Sequence, residues 1–116
     1  MGSKLYLRCN DYWGIPVVFT EVQRALKSEK HPELRDASFV GRIKKALQSP
    51  HFIYPDLTKK KRFAYYYIEY SINGRKKYTK VILQTQVSLC FIVTAFRPDY
   101  VKERGKVTPI YGKDEN

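Results

Sequence analysis

Residues 62–85 read RFAYYYIEYSINGRKKYTKVILQT and carry the clearest structural signal in the sequence. Aromatic and β-branched residues, which favour strands, lie on both sides of Asn73-Gly74. An Asn-Gly pair between two such runs is the strongest short-range signal for a β-hairpin. The stretch therefore predicts two long antiparallel strands, over residues 62–72 and 78–85.

Shorter strands are predicted on both sides of this hairpin. They cover residues 4–9, 15–19, 52–54 and 88–96. Turn-forming residues separate them, including Asn10-Asp11, Pro55 and the Arg97-Pro98-Asp99 sequence that ends the last strand. Both faces of the last strand are apolar, so it is expected to lie centrally in a sheet.

Two helices are predicted in the first half of the chain. Thr20 and Gln23 have capping-box spacing, which predicts a helix over residues 21–30. Asp36 or Ser38 can cap a second helix over residues 37–48. One face of the first helix carries Val22, Ala25 and Leu26, and the apolar stripe of the second carries Phe39, Val40, Ile43, Ala46 and Leu47.

Helices followed by a strand meander predict a single α+β domain over residues 1–102. Residues 103–116 are rich in Gly, Pro and charge, so we expect a loosely held C-terminal tail. No apolar run approaches the roughly 18 residues that a membrane span needs, and no secretory segment opens the chain. We interpret the two cysteines, Cys9 and Cys90, as reduced core residues of a cytoplasmic protein.

The charge balance predicts a polyanionic partner. Among 116 residues, 22 Lys and Arg face 11 Asp and Glu, which gives a formal net charge of +11. Ten tyrosines add side chains that stack on bases and donate hydrogen bonds. Nucleic acid is the partner that charge and aromatic content favour together, and a membrane surface is not expected because no basic helix carries a strong apolar face.

Five short motifs occur in a recognisable order. They are Lys30-His31-Pro32-Glu33-Leu34, Ala46-Leu47-Gln48-Ser49-Pro50, Tyr65-Tyr66-Tyr67, Lys80-Val81-Ile82-Leu83 and Thr94-Ala95-Phe96. Over about residues 17–97, this order resembles the phage-associated branch of the barnase–EndoU–colicin–RelE-like nuclease superfamily. Relatives often carry His-Ile on the first helix, where this chain has Ala25-Leu26, so the expected chemistry depends on His31 alone.

The resemblance implies a fold, an activity and partners. The fold would be two N-terminal helices packed on one face of a roughly four-stranded antiparallel sheet, with RNA on the other face. The activity would be that of a metal-independent, cofactor-free endoribonuclease of the toxin type, acting on tRNA, mRNA or rRNA. An acidic antitoxin or immunity protein would be the protein partner, in keeping with the net charge. By the motifs, His31 and Thr94 are the positions expected to be catalytic.

The residue types fit such chemistry. Cleavage without a metal needs a base for the 2′-hydroxyl, an acid for the 5′-oxygen and cations for the phosphate. His31 titrates near neutrality and suits either proton role, and the Thr94 hydroxyl can bind a phosphate oxygen. Lys80, the third candidate catalytic residue, lies mid-strand, where it either aims at the scissile phosphate or simply faces solvent.

RNA binding is predicted at basic and aromatic positions. The run of residues 59–62 is a cationic loop that leads into three tyrosines, and basic residues interleaved with aromatic ones are typical of RNA-binding proteins. The candidate RNA-binding and phosphate-binding residues are Lys30, Lys60, Lys61, Arg62, Tyr66, Tyr67 and Arg97. The alternative is a solvated loop and a packed strand, in which case the chain is a non-catalytic nucleic-acid-binding or partner-binding domain.

Overall fold

The computed structural model describes residues 4–112. Within this range the strands are β1 (Leu5–Asn10), β2 (Pro16–Thr20), β3 (Phe52–Pro55), β4 (Arg62–Tyr70), β5 (Lys76–Thr85), β6 (Cys90–Phe96) and β7 (Tyr111–Gly112). The helices are α1 (Glu21–Ser28) and α2 (Phe39–Gln48), with a 3-10 helix at Pro32–Arg35 between them. The predicted hairpin is confirmed, and Gly74 takes the positive φ of 79° that its turn requires.

In residues 4–112 the strands form one seven-stranded sheet with the order β1-β2-β6-β5-β4-β3-β7. Neighbours are antiparallel except β2 and β6, where Val17 and Val18 pair in parallel with Cys90 and Phe91. The predicted four-stranded antiparallel sheet with two N-terminal helices is therefore wrong. The N-terminal hairpin β1–β2 extends the sheet beyond β6, and β7 extends it beyond β3.

One face of the sheet, which we call the helix face, carries the main core. Here α2 packs its apolar stripe against β4, β5 and β1. The sequence predicted this stripe correctly, because four of its five positions are buried and Val40 is half-buried. The largest fully buried side chains on this face include Phe19, Ile43, Leu47, Ile53, Leu83 and Ile92. Burial of such side chains supplies most of the driving force for folding.

Helix α1 directs its polar side inward and its apolar stripe to solvent, which is the reverse of what its sequence suggests. Thr20 caps it as predicted, accepting a hydrogen bond from the Gln23 backbone at 3.1 Å. However, Val22 and Leu26 are 62% and 63% exposed. The inward side is polar: the Arg24 guanidinium donates to the Leu34 carbonyl at 3.1 Å. The apolar stripe of α1 is therefore not part of the core.

The opposite face of the sheet, the strap face, is partly covered by residues 101–107, the C-terminal strap. Val101 joins a second apolar cluster with Tyr54, Ala64, Tyr66, Ile68 and Tyr78. The strap also buries Glu103, and the chain then pairs Tyr111–Gly112 with β3. Within the predicted tail, Glu103 is thus buried and Tyr111–Gly112 pair with β3, while 113–116 lie outside the described residues.

Candidate nucleic-acid interface

A row of side chains crosses five strands on the part of the strap face that the strap leaves open. Arg62 on β4 pairs with Gln84 on β5, and Gln84 pairs with Phe91 on β6. Phe91 pairs with Val18 on β2, and Val18 pairs with Arg8 on β1. Paired residues project from the same face of a sheet. We call this row the polar band: an arginine at each end and an aromatic ring near its middle.

A groove of about 330 Å³ lies over one half of the polar band. Its lining residues are Thr20, Gln23, Arg62, Gln84, Gln86, Phe91, Ile92 and Val93. The Gln84 amide is fixed at both ends, since it accepts from Arg62 Nε at 3.0 Å and donates to the Lys60 carbonyl at 3.5 Å. Phe91 is 36% exposed, so one aromatic ring is open to solvent among polar side chains.

The basic loop, residues 59–61, lies directly beside this groove. All three lysines are exposed. Lys61 adopts a left-handed backbone with φ of 59°, and its carbonyl accepts from the Thr85 amide at 2.8 Å and from Thr85 Oγ1 at 2.9 Å. These bonds attach the loop to the end of β5. Cationic side chains are thereby held next to an exposed aromatic ring.

Lys80, a candidate catalytic residue, and Tyr66, a candidate RNA-binding residue, are buried with each other. Lys80 Nζ lies 3.0 Å from Glu103 Oε2, and Tyr66 donates to Glu103 Oε1 at 2.5 Å. Burial and the carboxylate raise the pKa of Tyr66. Lys80 is 5% exposed and Tyr66 is fully buried. In this conformation Lys80 does not face a phosphate and Tyr66 does not stack on a base, because the strap occupies both.

His31 lies at the edge of the strap face. Its ring stacks on Phe96, with centroids 4.2 Å apart and planes 9° from parallel. Partial burial lowers the pKa of the imidazole, and nearby Lys30 and Lys27 lower it further. The Glu33 carboxylate, which accepts from the Arg97 backbone amide at 2.9 Å, opposes this lowering. Lys30 is exposed beside His31.

Thr94 and Arg97 flank this edge of the sheet. Thr94 is buried on the same face as Phe96, and within residues 4–112 its hydroxyl has no hydrogen-bond partner. Arg97 lies 3.5 Å from Glu69 Oε1 and lines a groove of about 240 Å³ with Lys76 and Lys77. The structure thus places His31 and Arg97 at the same end of β6, with the His31 ring on Phe96 and the Arg97 guanidinium directed to Glu69. Lys80 is sealed nearby, 5.7 Å from the Phe96 ring centre.

Tyr67 lies on the helix face and not among the strap-face residues. Its ring packs near His51, with centroids 5.0 Å apart, and under Lys45 of α2, 5.9 Å from the ring centre. His51 has a structural contact here, since its Nδ1 accepts from the Ile68 amide at 3.0 Å. Tyr67 is therefore separate from the polar band.

Sequence reasoning missed Phe91, Gln84 and Gln23. Each occupies a position where its residue type is ordinary, and only strand register places Gln84 between Phe91 and Arg62. The Gln23 amide donates to the Val93 carbonyl at 2.7 Å, which positions it at the groove although 70 residues separate the two in the chain. Arg62 and Lys60, by contrast, were predicted and do belong to this region.

Comparison with known proteins finds no matching protein family, no matching curated protein and no matching solved structure. Among residues 4–112, no group of three or more His, Cys, Asp or Glu side chains is arranged to hold a metal ion. No helix in the same range is long and apolar enough to cross a membrane.

Proposed function

We propose that this protein binds single-stranded RNA across the polar band and the basic loop. The observation that supports it most directly is the row Arg62, Gln84 and Phe91, which continues into the exposed Lys59–Lys61 loop. An open aromatic ring stacks on an unpaired base, and neighbouring cations bind the phosphates on either side. Glutamine amides supply hydrogen bonds to base edges. The net charge of +11 favours the same partner.

A direct binding assay tests this proposal. Fluorescence anisotropy with a labelled single-stranded RNA, repeated over a salt series, gives both the affinity and its salt dependence. Phe91→Ala should weaken binding by about 1–3 kcal/mol, the usual contribution of one stacked base. Tyr70→Ala is the matched control, because Tyr70 is exposed at the far end of β4. Equal affinity of wild type and Phe91→Ala would show that binding does not use the band.

A second candidate function is metal-independent endoribonuclease activity, in line with the family resemblance. The observation that favours it is the His31 imidazole stacked on Phe96, at the same end of β6 as Arg97, which lines a groove with Lys76, Lys77 and Asp99. His31 would take the proton of a ribose 2′-hydroxyl, whose oxygen would attack the adjacent phosphorus. The bond to the 5′-oxygen would break and that oxygen would take a proton, leaving a 2′,3′-cyclic phosphate and a 5′-hydroxyl.

Cleavage and binding separate experimentally. The pure protein is incubated in EDTA with total RNA, tRNA or translating ribosomes, and cyclic-phosphate ends are sought. His31→Ala should abolish cleavage and leave salt-dependent binding nearly intact. Cleavage at the wild-type rate by His31→Ala would exclude this residue from catalysis. Growth arrest on expression, relieved by an acidic protein, would support a toxin with an antitoxin or immunity partner. Binding without cleavage would contradict the ribonuclease proposal and would leave RNA binding as the remaining proposal.

A further inference from the structure

The turn between β1 and β2 encloses a cavity at the end of the helix face. Asp11 organises this turn, since its Oδ1 accepts from the backbone amides of Trp13 at 2.9 Å and Ile15 at 2.8 Å. Its Oδ2 accepts from the Tyr65 hydroxyl at 2.9 Å. Trp13 meets Tyr65 edge to face, with centroids 6.4 Å apart. The turn is therefore fastened to β4 through a buried carboxylate.

The cavity has a volume of about 240 Å³. Its lining residues are Asp11, Trp13, Ile15, Phe63, Tyr65, Thr85, Cys90 and Ile110. Asp11, Tyr65 and Cys90 are buried and form its floor, whereas Trp13, Ile15 and Ile110 are exposed and form its rim. A dry cavity of 150 Å³ is large enough for benzene. This one therefore admits a single aromatic ring with a substituent.

The lining selects a particular kind of ring. The aromatic walls favour a flat ligand, and the buried carboxylate of Asp11 favours a ligand with an N–H donor. A carboxylate has about four acceptor positions, and three are filled by Trp13, Ile15 and Tyr65. One acceptor position remains, which matches a single donor. Among bases, a carboxylate pairs with the exocyclic amino group of cytosine.

The cavity is connected to the basic loop through one residue. Thr85 lines the cavity, and the same residue holds the carbonyl of Lys61 through its amide and its hydroxyl. A nucleotide whose phosphate lies on the exposed lysines of the loop would have its base beside the cavity rim. The lysines outside the cavity match the phosphate of one nucleotide, and the aromatic rings and carboxylate inside it match the base.

We propose that this cavity binds one unpaired cytosine base of the RNA, with its amino group donating to Asp11 and its phosphate on the basic loop. The inference rests on the proposed RNA binding and adds a base preference to it. It concerns the helix face, opposite the polar band, so the two sites are separable by substitution.

Trp13 provides the test, because it is the one tryptophan in the chain and stands at the rim. Its fluorescence is followed while cytidine 5′-monophosphate or uridine 5′-monophosphate is added to the full-length protein. We expect saturable quenching by the cytidine nucleotide and at least about tenfold weaker binding of the uridine nucleotide, which lacks the amino group. Equal binding of the two, or no binding of either, would overturn the proposal.

Variants keep the test independent of folding. Asp11→Asn removes the charge but also disturbs the turn, so Ile110→Phe, which narrows the rim from an exposed position, is the main variant. It should abolish quenching, while Ile72→Phe at the fully exposed β4–β5 turn should not. Quenching retained by Ile110→Phe would contradict the cavity as the site, as would quenching by toluene alone, which would mark an apolar docking site.

The outcome also distinguishes failure of this inference from failure of the proposed function. If RNA binding is weakened by Phe91→Ala but the cytidine nucleotide does not bind, the cavity proposal alone is wrong. If the cytidine nucleotide binds and Phe91→Ala leaves RNA affinity unchanged, the band proposal is wrong and the cavity stands.

Discussion

The buried ion pair between Lys80 and Glu103 gives a prediction whose size follows from the structure. Glu103→Ala would leave the Lys80 ammonium and the Tyr66 hydroxyl without their acceptor in a region that is almost fully closed to water. Removing one partner of a buried pair costs about 3–5 kcal/mol. That is a large part of the roughly 5–15 kcal/mol that stabilises an ordinary domain.

Replacing both charges should restore most of this loss. In the double variant Lys80→Met, Glu103→Gln, a methionine fills the volume of the lysine stem, and the glutamine oxygen still accepts from Tyr66. Buried pairs exchanged for neutral groups of similar volume are often close to neutral in stability. We therefore expect the double variant to be more stable than either single variant, with a coupling of about 2 kcal/mol or more between the two positions.

Urea unfolding at pH 7, followed by circular dichroism and Trp13 fluorescence, measures the free energies of unfolding of the wild type, Lys80→Met, Glu103→Gln and the double variant, which form the cycle, and of Glu103→Ala. Lys102→Ala, at an exposed neighbouring position, is the control and should change stability by less than about 0.5 kcal/mol. A loss of under about 1 kcal/mol for Glu103→Ala, or additive effects in the double variant, would refute the description of Lys80 and Glu103 as a desolvated pair.

Three further predictions use other parts of the molecule. Lys60→Gln should reduce the slope of log affinity for single-stranded RNA against log salt by about 0.7, and Arg75→Gln should leave it unchanged; equal slopes would place the basic loop outside the interface. Burial lowers the pKa of His31 in the folded state, so the free energy of unfolding should fall as the pH drops from above about 6.5 to below the folded pKa, and His31→Gln should flatten this dependence. An NMR titration that finds an ordinary His31 pKa would contradict it. Ile43→Ala should cost about 2–5 kcal/mol in urea unfolding, whereas Val22→Ala on the exposed side of α1 should cost under about 0.5; similar costs would mean that α1 is packed by its apolar stripe.

Local signals predicted the local elements. Asn73-Gly74 placed the central hairpin, and the spacing of Phe39, Ile43 and Leu47 placed α2 on the core, because turn chemistry and helical periodicity act over a few residues. Such elements can be predicted from residues that are close together in the sequence. Their bounds shifted by a few residues, as expected where helix and strand ends fray.

Long-range pairing was not visible in the sequence. Nothing in the two residues of β7 marks them as a strand, and the parallel contact of Val17 with Cys90 joins positions 73 apart. The apolar stripe of α1 misled, because periodicity indicates which face is apolar and not whether a partner covers it. Gln23 and Arg24 instead find backbone carbonyls to bind on the inward side.

The candidate interface was predicted in part. A run of four consecutive cationic residues is recognisable from the sequence alone, so Lys60, Lys61 and Arg62 were identified. Lys80 was interpreted without its counter-ion, since Glu103 lies 23 residues away in a segment that composition alone marks as loose. The environment of a charged residue depends on tertiary contacts, and these decide whether it binds a ligand or the protein itself.

The C-terminal strap has a consequence for synthesis on the ribosome. Until residues 101–112 have been synthesised, Lys80 lacks the Glu103 carboxylate with which it pairs in the folded protein. Strand β3 likewise lacks its neighbour β7. The nascent protein would therefore remain incompletely folded, with tyrosines open to solvent, until almost the whole described chain is available. The strap-face cluster would then close only after these residues have left the ribosome.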